Sequence, residues 1–436
     1  MRRDAAFRVR RNTELGLIIL AAVLTVGAYI LVSLGRSSAL PANVVPFLAI
    51  IIGLLVAAHV TTRWLAPGAD GILLPLAGLL NGLGYVFIAR LNSNLAGLQA
   101  VWTTLGIAAF VATLALVRRA RDLERFRYTF ALAGIGFLLM PLLPVIGQNI
   151  GGSRLWVRLG TVNFQPGEFA KILLSVFFAS YLVEKRELLS EAIHRVGAVM
   201  VPDLRHFGPV VLAWGFSLVV MTFERDLGSS LLFFALFVSM LWVATGRGAY
   251  LAIGGALFGV GAAVVWKTFS HVHERVAIWI NPWKTASGTG FQVVQALFAF
   301  AAGGIAGTNL AQGSPERIPA VATDFIFAAI GEELGLLGAA AVVCAFLLMV
   351  GAGLRIAIRA EAPFDKLLAA GLTTIIGVQS FVILGGVTRL VPLTGITLPF
   401  VSYGGSSLLA NYVLLALLLR ISDGQPALAP TEGAAA

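Results

Sequence analysis

The chain is a series of apolar runs of about 20 residues, the length at which a helix crosses the hydrocarbon core of a bilayer. Reading runs between charges gives twelve candidate spans, at about residues 15–34, 44–62, 71–91, 98–117, 127–147, 166–184, 207–223, 227–245, 249–267, 322–354, 367–389 and 398–420. This pattern predicts an all-α polytopic membrane protein with about 12 transmembrane helices. Residues 1–14 form a short N-terminal segment and 15–420 a single transmembrane domain. Residues 421–436 form a Pro/Ala-rich tail expected to be disordered. The first run is long for the apolar part of a signal peptide and no small-residue cleavage site follows, so it reads as a retained anchor. No internal repeat is evident.

One connection is much longer than the rest. Residues 268–321 carry Trp279, Trp283, Phe291, Phe298 and Phe300 among glycines and polar residues. Long loops in compact proteins are functional or disordered, and this aromatic content argues against disorder. The stretch from Phe291 to Phe300 has the spacing of an amphipathic helix lying along an interface.

Composition removes the alternatives. Of 436 residues, 58% are hydrophobic and 12% charged, and the mean hydropathy is +0.90. A soluble surface needs about twice that charge. The net charge of +10 does not mark a nucleic-acid binder, because the basic residues flank apolar runs and form no single patch. They read as topology-setting charges facing anionic lipid. Placing both termini in the cytoplasm puts roughly two-thirds of the Lys and Arg on that side, with the cluster Arg118, Arg119, Arg121, Arg125 and Arg127 in one inner loop. The 268–321 loop is then extracellular. Cys344 is the only cysteine and lies in an apolar run, which leaves no disulfide or Cys-ligated metal. His59, His194, His206, His271 and His273 show no ligand spacing.

Charge within membrane spans is costly and marks candidate chemistry. Glu168 and Lys171 are three apart at the start of the sixth span, on one helical face. Asp226 lies between the seventh and eighth spans beside Glu224 and Arg225, and Asp324 opens the tenth. Arg154, Arg158 and Arg389 belong to the same outer side. Each has a plainer reading: an ion pair joining helices for Glu168 and Lys171, helix caps for Asp226 and Asp324. Glu332 and Glu333, deeper along the tenth run, read as internal hydrogen-bonding groups. The stretch Pro399-Phe-Val-Ser-Tyr-Gly-Gly-Ser-Ser407, with Ser402 and Tyr403, is small and polar where lipid-facing helix would be large and apolar. It is expected to line a cavity or to let helices pack closely.

These stretches are similar to the SEDS family (shape, elongation, division and sporulation), the RodA and FtsW proteins of bacterial cell-wall synthesis. The matching segments are Gly152-Ser-Arg-Leu-Trp156, Phe164-Gln-Pro-Gly-Glu-Phe-Ala-Lys171, Asp226-Leu-Gly228, Thr323-Asp-Phe-Ile-Phe-Ala-Ala-Ile-Gly-Glu-Glu-Leu-Gly335 and Leu398-Pro-Phe-Val-Ser-Tyr-Gly-Gly-Ser406, in family order. The chain departs from the pattern at Gly167, Arg225 and Ala322, and in a loop reduced to Gly307-Thr-Asn-Leu-Ala-Gln-Gly313. Two helices precede the family's ten-helix core, an extension that resembles the actinobacterial branch. The surroundings of Gly385–Arg389 and Asn411–Tyr412 are closer to RodA than to FtsW.

The resemblance implies a peptidoglycan glycosyltransferase. It would polymerise lipid II, an undecaprenyl-pyrophosphate-linked precursor, at the outer face of the bacterial cytoplasmic membrane. It would work with a class B penicillin-binding protein. Asp324 matches the family's essential aspartate, and Glu168, Lys171 and Asp226 match other required residues. Glycan transfer needs a base at the attacking hydroxyl and cations at the leaving pyrophosphate. Asp324 is the candidate base; Lys171, Arg154 and Arg158 are candidates for the pyrophosphate. Asp226 and Glu168 would orient Lys171, or Asp226 would help hold a divalent cation such as Mg2+. Two other classes stay open: a precursor flippase or transporter with carboxylates as proton relays, and a non-catalytic scaffold, in keeping with the altered glycine loop. Charge clustered at the membrane edge and not at the midplane favours the enzyme.

Overall fold

The computed structural model describes residues 2–37, 44–150, 153–160, 162–190, 194–196, 199–201, 215, 218–219, 223–224 and 226–425. A bilayer offers backbone groups no outside partners, so apolar runs close their hydrogen bonds internally as helices. The first half contains α1 (Arg2–Ser37), α2 (Val44–Leu65), α3 (Leu73–Leu91), α4 (Ser93–Leu116), α5 (Arg127–Leu139) and α6 (Gly167–Glu184). After a one-turn α7 (Arg186–Ser190) come α8 (Leu227–Thr245), α9 (Ala249–Thr268), α10 (Ser270–Ile280), α11 (Phe291–Gly303), α12 (Ile326–Arg359), α13 (Pro363–Val387) and α14 (Gly405–Asp423). Among the described residues, eight helices are long and apolar enough to cross a membrane. The chain is a multi-pass membrane protein. The expected span at 207–223 lies largely outside the described residues, as do Arg225 and the tail from 426 onward.

Helix α14 sits at the centre, with 89% of its span buried, while α9 stands at the edge with 11%. Close approach depends on small residues, as expected where lipid gives helices no hydrophobic reason to associate. A Cβ on Gly106 would strike the Tyr412 ring, and one on Gly405 would strike Trp102. The N-terminal pair α1 and α2 belongs to the bundle: Thr25 packs on Gly82 of α3, and buried Glu14 meets His59 and Arg63 of α2.

Polar ties define two ends of the bundle. At one, Arg420 donates to the carbonyls of Leu65 (2.5 Å), Val117 (2.7 Å) and Leu114, gathering the C-termini of α2 and α4 onto α14. Arg121 of the basic loop pairs with Asp365 at this same end. At the opposite end the 268–321 connection folds over the helices. Its α10 and α11 are helical, and the segment read as amphipathic runs from Phe291 to Gly303.

Three features depart from the sequence reading. Helix α5 stops at Leu139, because Pro141 and Pro144 cannot continue it. The chain beyond forms a three-stranded antiparallel sheet of β1 (Gly147–Ile150), β2 (Ser153–Leu159) and β3 (Val162–Phe164). The tenth run is not one straight helix: α12 breaks at Gly335, with φ 66° and ψ −166°. Glu332 and Glu333 therefore end a short half-helix at the loop side and do not continue down the span. Glu333 accepts from Arg90 Nε (3.0 Å) and Ala311 N (3.0 Å), and Glu332 from Ser314 N (2.8 Å). They are internal hydrogen-bonding groups, and what they hold is the glycine loop.

Candidate active site

Asp324 ends the long connection, one residue before Phe325 leads into α12. Tight turns fix it: the amides of Thr323 and Asp324 both donate to the Ala320 carbonyl (3.1 Å each). The segment before α14 braces it from the other side. Tyr403 N donates to the Ala322 carbonyl (2.8 Å), and the Ser402 hydroxyl donates to that of Thr323 while accepting from Leu398 N. The Ser402 hydroxyl is thus spent on holding the Asp324 segment.

At the first turn of α6, Glu168 and Lys171 form the expected i,i+3 ion pair at 2.7 Å. Both are buried, and the Lys171 ammonium also donates to Gln379 Oε1 of α13 at 2.6 Å. Gln379 in turn donates to the Thr397 carbonyl at 2.9 Å. Removing two ions from water is repaid only where good geometry and added hydrogen bonds accompany the pair, and here the amide of Gln379 supplies them. The chain Glu168–Lys171–Gln379–Thr397 thereby fastens α6 and α13 to the loop between α13 and α14.

That loop also carries the link to Asp324. At Gly395, φ is 78°, and a Cβ there would stand 3.5 Å from Asp324 Oδ2 and 3.8 Å from Arg275 Nη2. Glycine suits this φ, and the two charged groups flank it. Arg275, on α10, donates through Nη1 to the carbonyls of Leu393 (3.2 Å) and Thr394 (2.7 Å). Its helix is held by Arg389, which donates to the carbonyls of Trp279 and Ile280, while Trp279 Nε1 donates back to Arg389 O. Arg275, Trp279, Gln292 and Arg389 line one cleft of about 40 Å3. Asp226 caps α8, accepting from Ser229 N (3.0 Å) and the Ser229 hydroxyl. It lies within electrostatic reach of Glu168 and Arg275, and Asp324 within reach of Arg275 and Asp226. Glu168, Lys171, Asp226 and Asp324 thus share one neighbourhood at one end of the bundle.

Burial pushes the Asp324 carboxyl up to about 6, against the hydrogen bond from Thr323 and the charge of Arg275, with Asp226 adding to the rise. Burial also raises Asp226, opposed by its bonds from Ser229 and by Arg275. Arg154 and Arg158 alternate along β2 on one exposed face. Arg158 donates to Gly160 O, and among the described residues no hydrogen bond or ion pair joins either arginine to Asp324 or Lys171. Among the described residues no group of three or more His, Cys, Asp or Glu is placed to hold a metal ion.

Arg275, Gln379 and Thr394 are not among the residues the sequence singles out. Arg275 lies in a loop where charge is ordinary, and Gln379 is an uncharged residue within an apolar run. A weak signal for Arg275 was available: Arg275 and Trp279 are four apart, which puts them on one face if that stretch is helical.

The sequence model of the FtsW/RodA/SpoVE cell cycle protein family matches residues 85–426. The chain is 44% identical over 426 residues to the peptidoglycan glycosyltransferase RodA of Mycobacterium tuberculosis (strain ATCC 25618 / H37Rv), covering 95% of this chain and 91% of that one. It is 32% identical to a probable peptidoglycan glycosyltransferase FtsW of Geobacter metallireducens, over 78% of this chain and 85% of that one. The mycobacterial match extends into the N-terminal helices that the family model omits. Among solved structures, a chain from a peptidoglycan synthase complex that coordinates polymerization and crosslinking superposes with a TM-score of 0.68 at 26% identity, covering 81% of this chain and 97% of that one. The rod shape determining protein RodA of Thermus thermophilus gives 0.58 at 24% identity, over 81% and 96%, a likeness of fold.

Proposed function

The chain belongs to the FtsW/RodA/SpoVE family, and from that membership and the geometry at Asp324 we propose that it polymerises lipid II into glycan strands. It is a peptidoglycan glycosyltransferase of the cell membrane, serving cell-wall elongation or division. The reaction takes place at the outer face, where both substrates keep their lipid tails in the bilayer. The observation that carries the reading is a carboxylate at the end of a membrane bundle, held by turns and braced from the segment before α14, with a guanidinium close by at Gly395.

In the reaction the 4-hydroxyl of the acceptor sugar attacks the anomeric carbon of the donor. Asp324 takes the hydroxyl proton as the new C–O bond forms, and the bond to the diphosphate breaks, its electron pair leaving with the lipid carrier. A carboxyl held near 6 is a better base than an ordinary aspartate and is still ionised at neutral pH. Glu168, Lys171 and Asp226 support the site as a cross-braced charged floor. The strands so made are substrates for a crosslinking partner, a class B penicillin-binding protein. Both termini and the basic loop of Arg118–Arg127 face the cytoplasm.

The test is gel analysis of lipid II incubated with the purified protein, alone and with its cognate penicillin-binding protein. Glycan ladders are expected, and Asp324→Asn is expected to abolish them while the protein melts at an unchanged temperature. Translocation of lipid II without ladders would replace this reading with a flippase, and full polymerisation by the Asn variant would remove Asp324 from the base role.

A further inference from the structure

We propose that Arg275 is a second catalytic residue, its Nη2 binding the donor's diphosphate and taking the negative charge that develops there as the anomeric bond breaks. This rests on the glycosyltransferase reading and adds to it the leaving-group cation.

Lys171 and Arg389 are committed elsewhere, and Arg154 and Arg158 stand apart. Lys171 is 2% exposed and held by Glu168 and Gln379. Arg389 spends its guanidinium on the carbonyls that end α10. Arg154 and Arg158 stand on the exposed face of β2, away from any described contact with Asp324. Arg275 differs in how its fork is divided. Nη1 is fixed by two loop carbonyls, whereas Nη2 has no acceptor among the described residues and lies, like Asp324 Oδ2, within 4 Å of the position a Gly395 Cβ would occupy. The carboxylate and guanidinium do not pair with each other among the described residues. A second orphan lies alongside: Thr394 Oγ1 is buried without a hydrogen-bond partner, next to Gly228 in the α8 turn that Asp226 caps. The buried, unpaired Thr394 hydroxyl asks for a polar ligand, and Nη2 is, among the described residues, a free donor on the guanidinium that holds the Thr394 carbonyl.

The chemistry calls for a base and a cation that are neighbours but not partners. With Asp324 as base and no covalent intermediate, the reaction is a single displacement, so the attacking and leaving oxygens lie on opposite sides of the anomeric carbon. The base and the leaving-group cation then act on different oxygens and must not neutralise each other. Asp324 and Arg275 lie close together without pairing among the described residues. The proton passes to Asp324, the new bond forms from the acceptor oxygen, and the electron pair of the broken bond stays on a diphosphate oxygen. A guanidinium held beforehand where that charge appears is the device that stabilises oxyanions in acyl transfer, and its fork matches phosphate oxygens.

The test uses the full-length protein and purified lipid II. Arg275→Gln keeps a donor for the Leu393 and Thr394 carbonyls but loses the charge, and Arg275→Lys restores the charge. The Gln variant is expected to lose on the order of 100-fold in kcat with a smaller change in KM, and the Lys variant to recover to within about tenfold of wild type. In the inactive Asp324→Asn background, adding Arg275→Gln should weaken binding of undecaprenyl diphosphate about tenfold, with binding of undecaprenol unchanged. Wild-type turnover by Arg275→Gln, equal diphosphate binding, or a Lys variant as impaired as the Gln variant would each overturn the proposal. An inactive wild type would instead overturn the glycosyltransferase reading itself. If Arg275→Gln fails to fold, the Lys variant decides alone: a loss of more than 100-fold in kcat with unaltered melting overturns the cation role, and retained turnover with retained diphosphate binding supports it.

Discussion

At the scale of single residues, the site separates charges that hold from charges that act. Glu168, Lys171 and Asp226 are buried, the first two paired with each other, Lys171 also bonded to Gln379, and Asp226 bonded to Ser229. Asp324 keeps partial exposure and a raised carboxyl. A base must be ionised to work, so the polymerisation rate should climb as pH rises through about 6 and level off above it. The measurement is kcat across a pH series at saturating lipid II; a rate independent of pH from 5 to 8 would exclude a base titrating at about 6. The same shift has the opposite effect on the fold. The proton is held more tightly in the folded chain than in the unfolded one, so Asp324 favours folding at low pH and loses that contribution as pH rises through about 6. The four charged residues were legible in the sequence because ionisable groups stand out against apolar spans. Gln379 and Arg275 were not, since their roles depend on which backbone carbonyls and which neighbours the fold delivers.

At the scale of elements, hydrophobic pattern located the helices well because a bilayer leaves the backbone no alternative. It failed where irregular chain is stabilised by other protein. The break in α12 is such a place. Leu336 N donates to Gly304 O (2.9 Å) and Leu337 N to Ile305 O (3.2 Å), so the helix opens to pair with the glycine loop. Glu332 and Glu333 then hold the far side of that loop and Arg90 ties it to α3. With 48 glycines in the chain, nothing local marks Gly335 as the one whose positive φ breaks a helix. A Cβ there would overlap the Gly307 nitrogen and press on the Ile305 carbonyl. Gly335→Ala is therefore expected to cost at least about 1–3 kcal/mol from backbone strain alone, and to lower polymerase activity by loosening the connection that ends at Asp324. Gly351, in the same helix with open space around it, provides the control. Gly351→Ala should be neutral or slightly stabilising, and equal thermal shifts for the two variants in detergent would refute the account of the break.

At the scale of the whole molecule, the argument depends on which end of the bundle faces the cytoplasm. The geometry of the bundle shows which groups share an end, and loop charge decides which end that is. Arg118, Arg119, Arg121, Arg125 and Arg127 bracket the α4–α5 connection, where Arg121 meets Asp365 at the start of α13. Arg355 and Arg359 end α12 close by, with Gln425 donating to Ile356 O. Asp324, Arg275 and the Glu168–Lys171 pair lie at the other end, reached by the same helices after a full crossing. The proposed orientation follows the positive-inside rule, with the basic end in the cytoplasm and the Asp324 end outside. In a Cys344→Ser background, Lys284→Cys in the long connection should react with a membrane-impermeant maleimide on intact cells. Glu361→Cys, exposed between α12 and α13, should react only after the membrane is opened. The reverse pattern would put the carboxylate on the cytoplasmic side. There it could not extend glycan strands outside the membrane, whatever its geometry with Arg275.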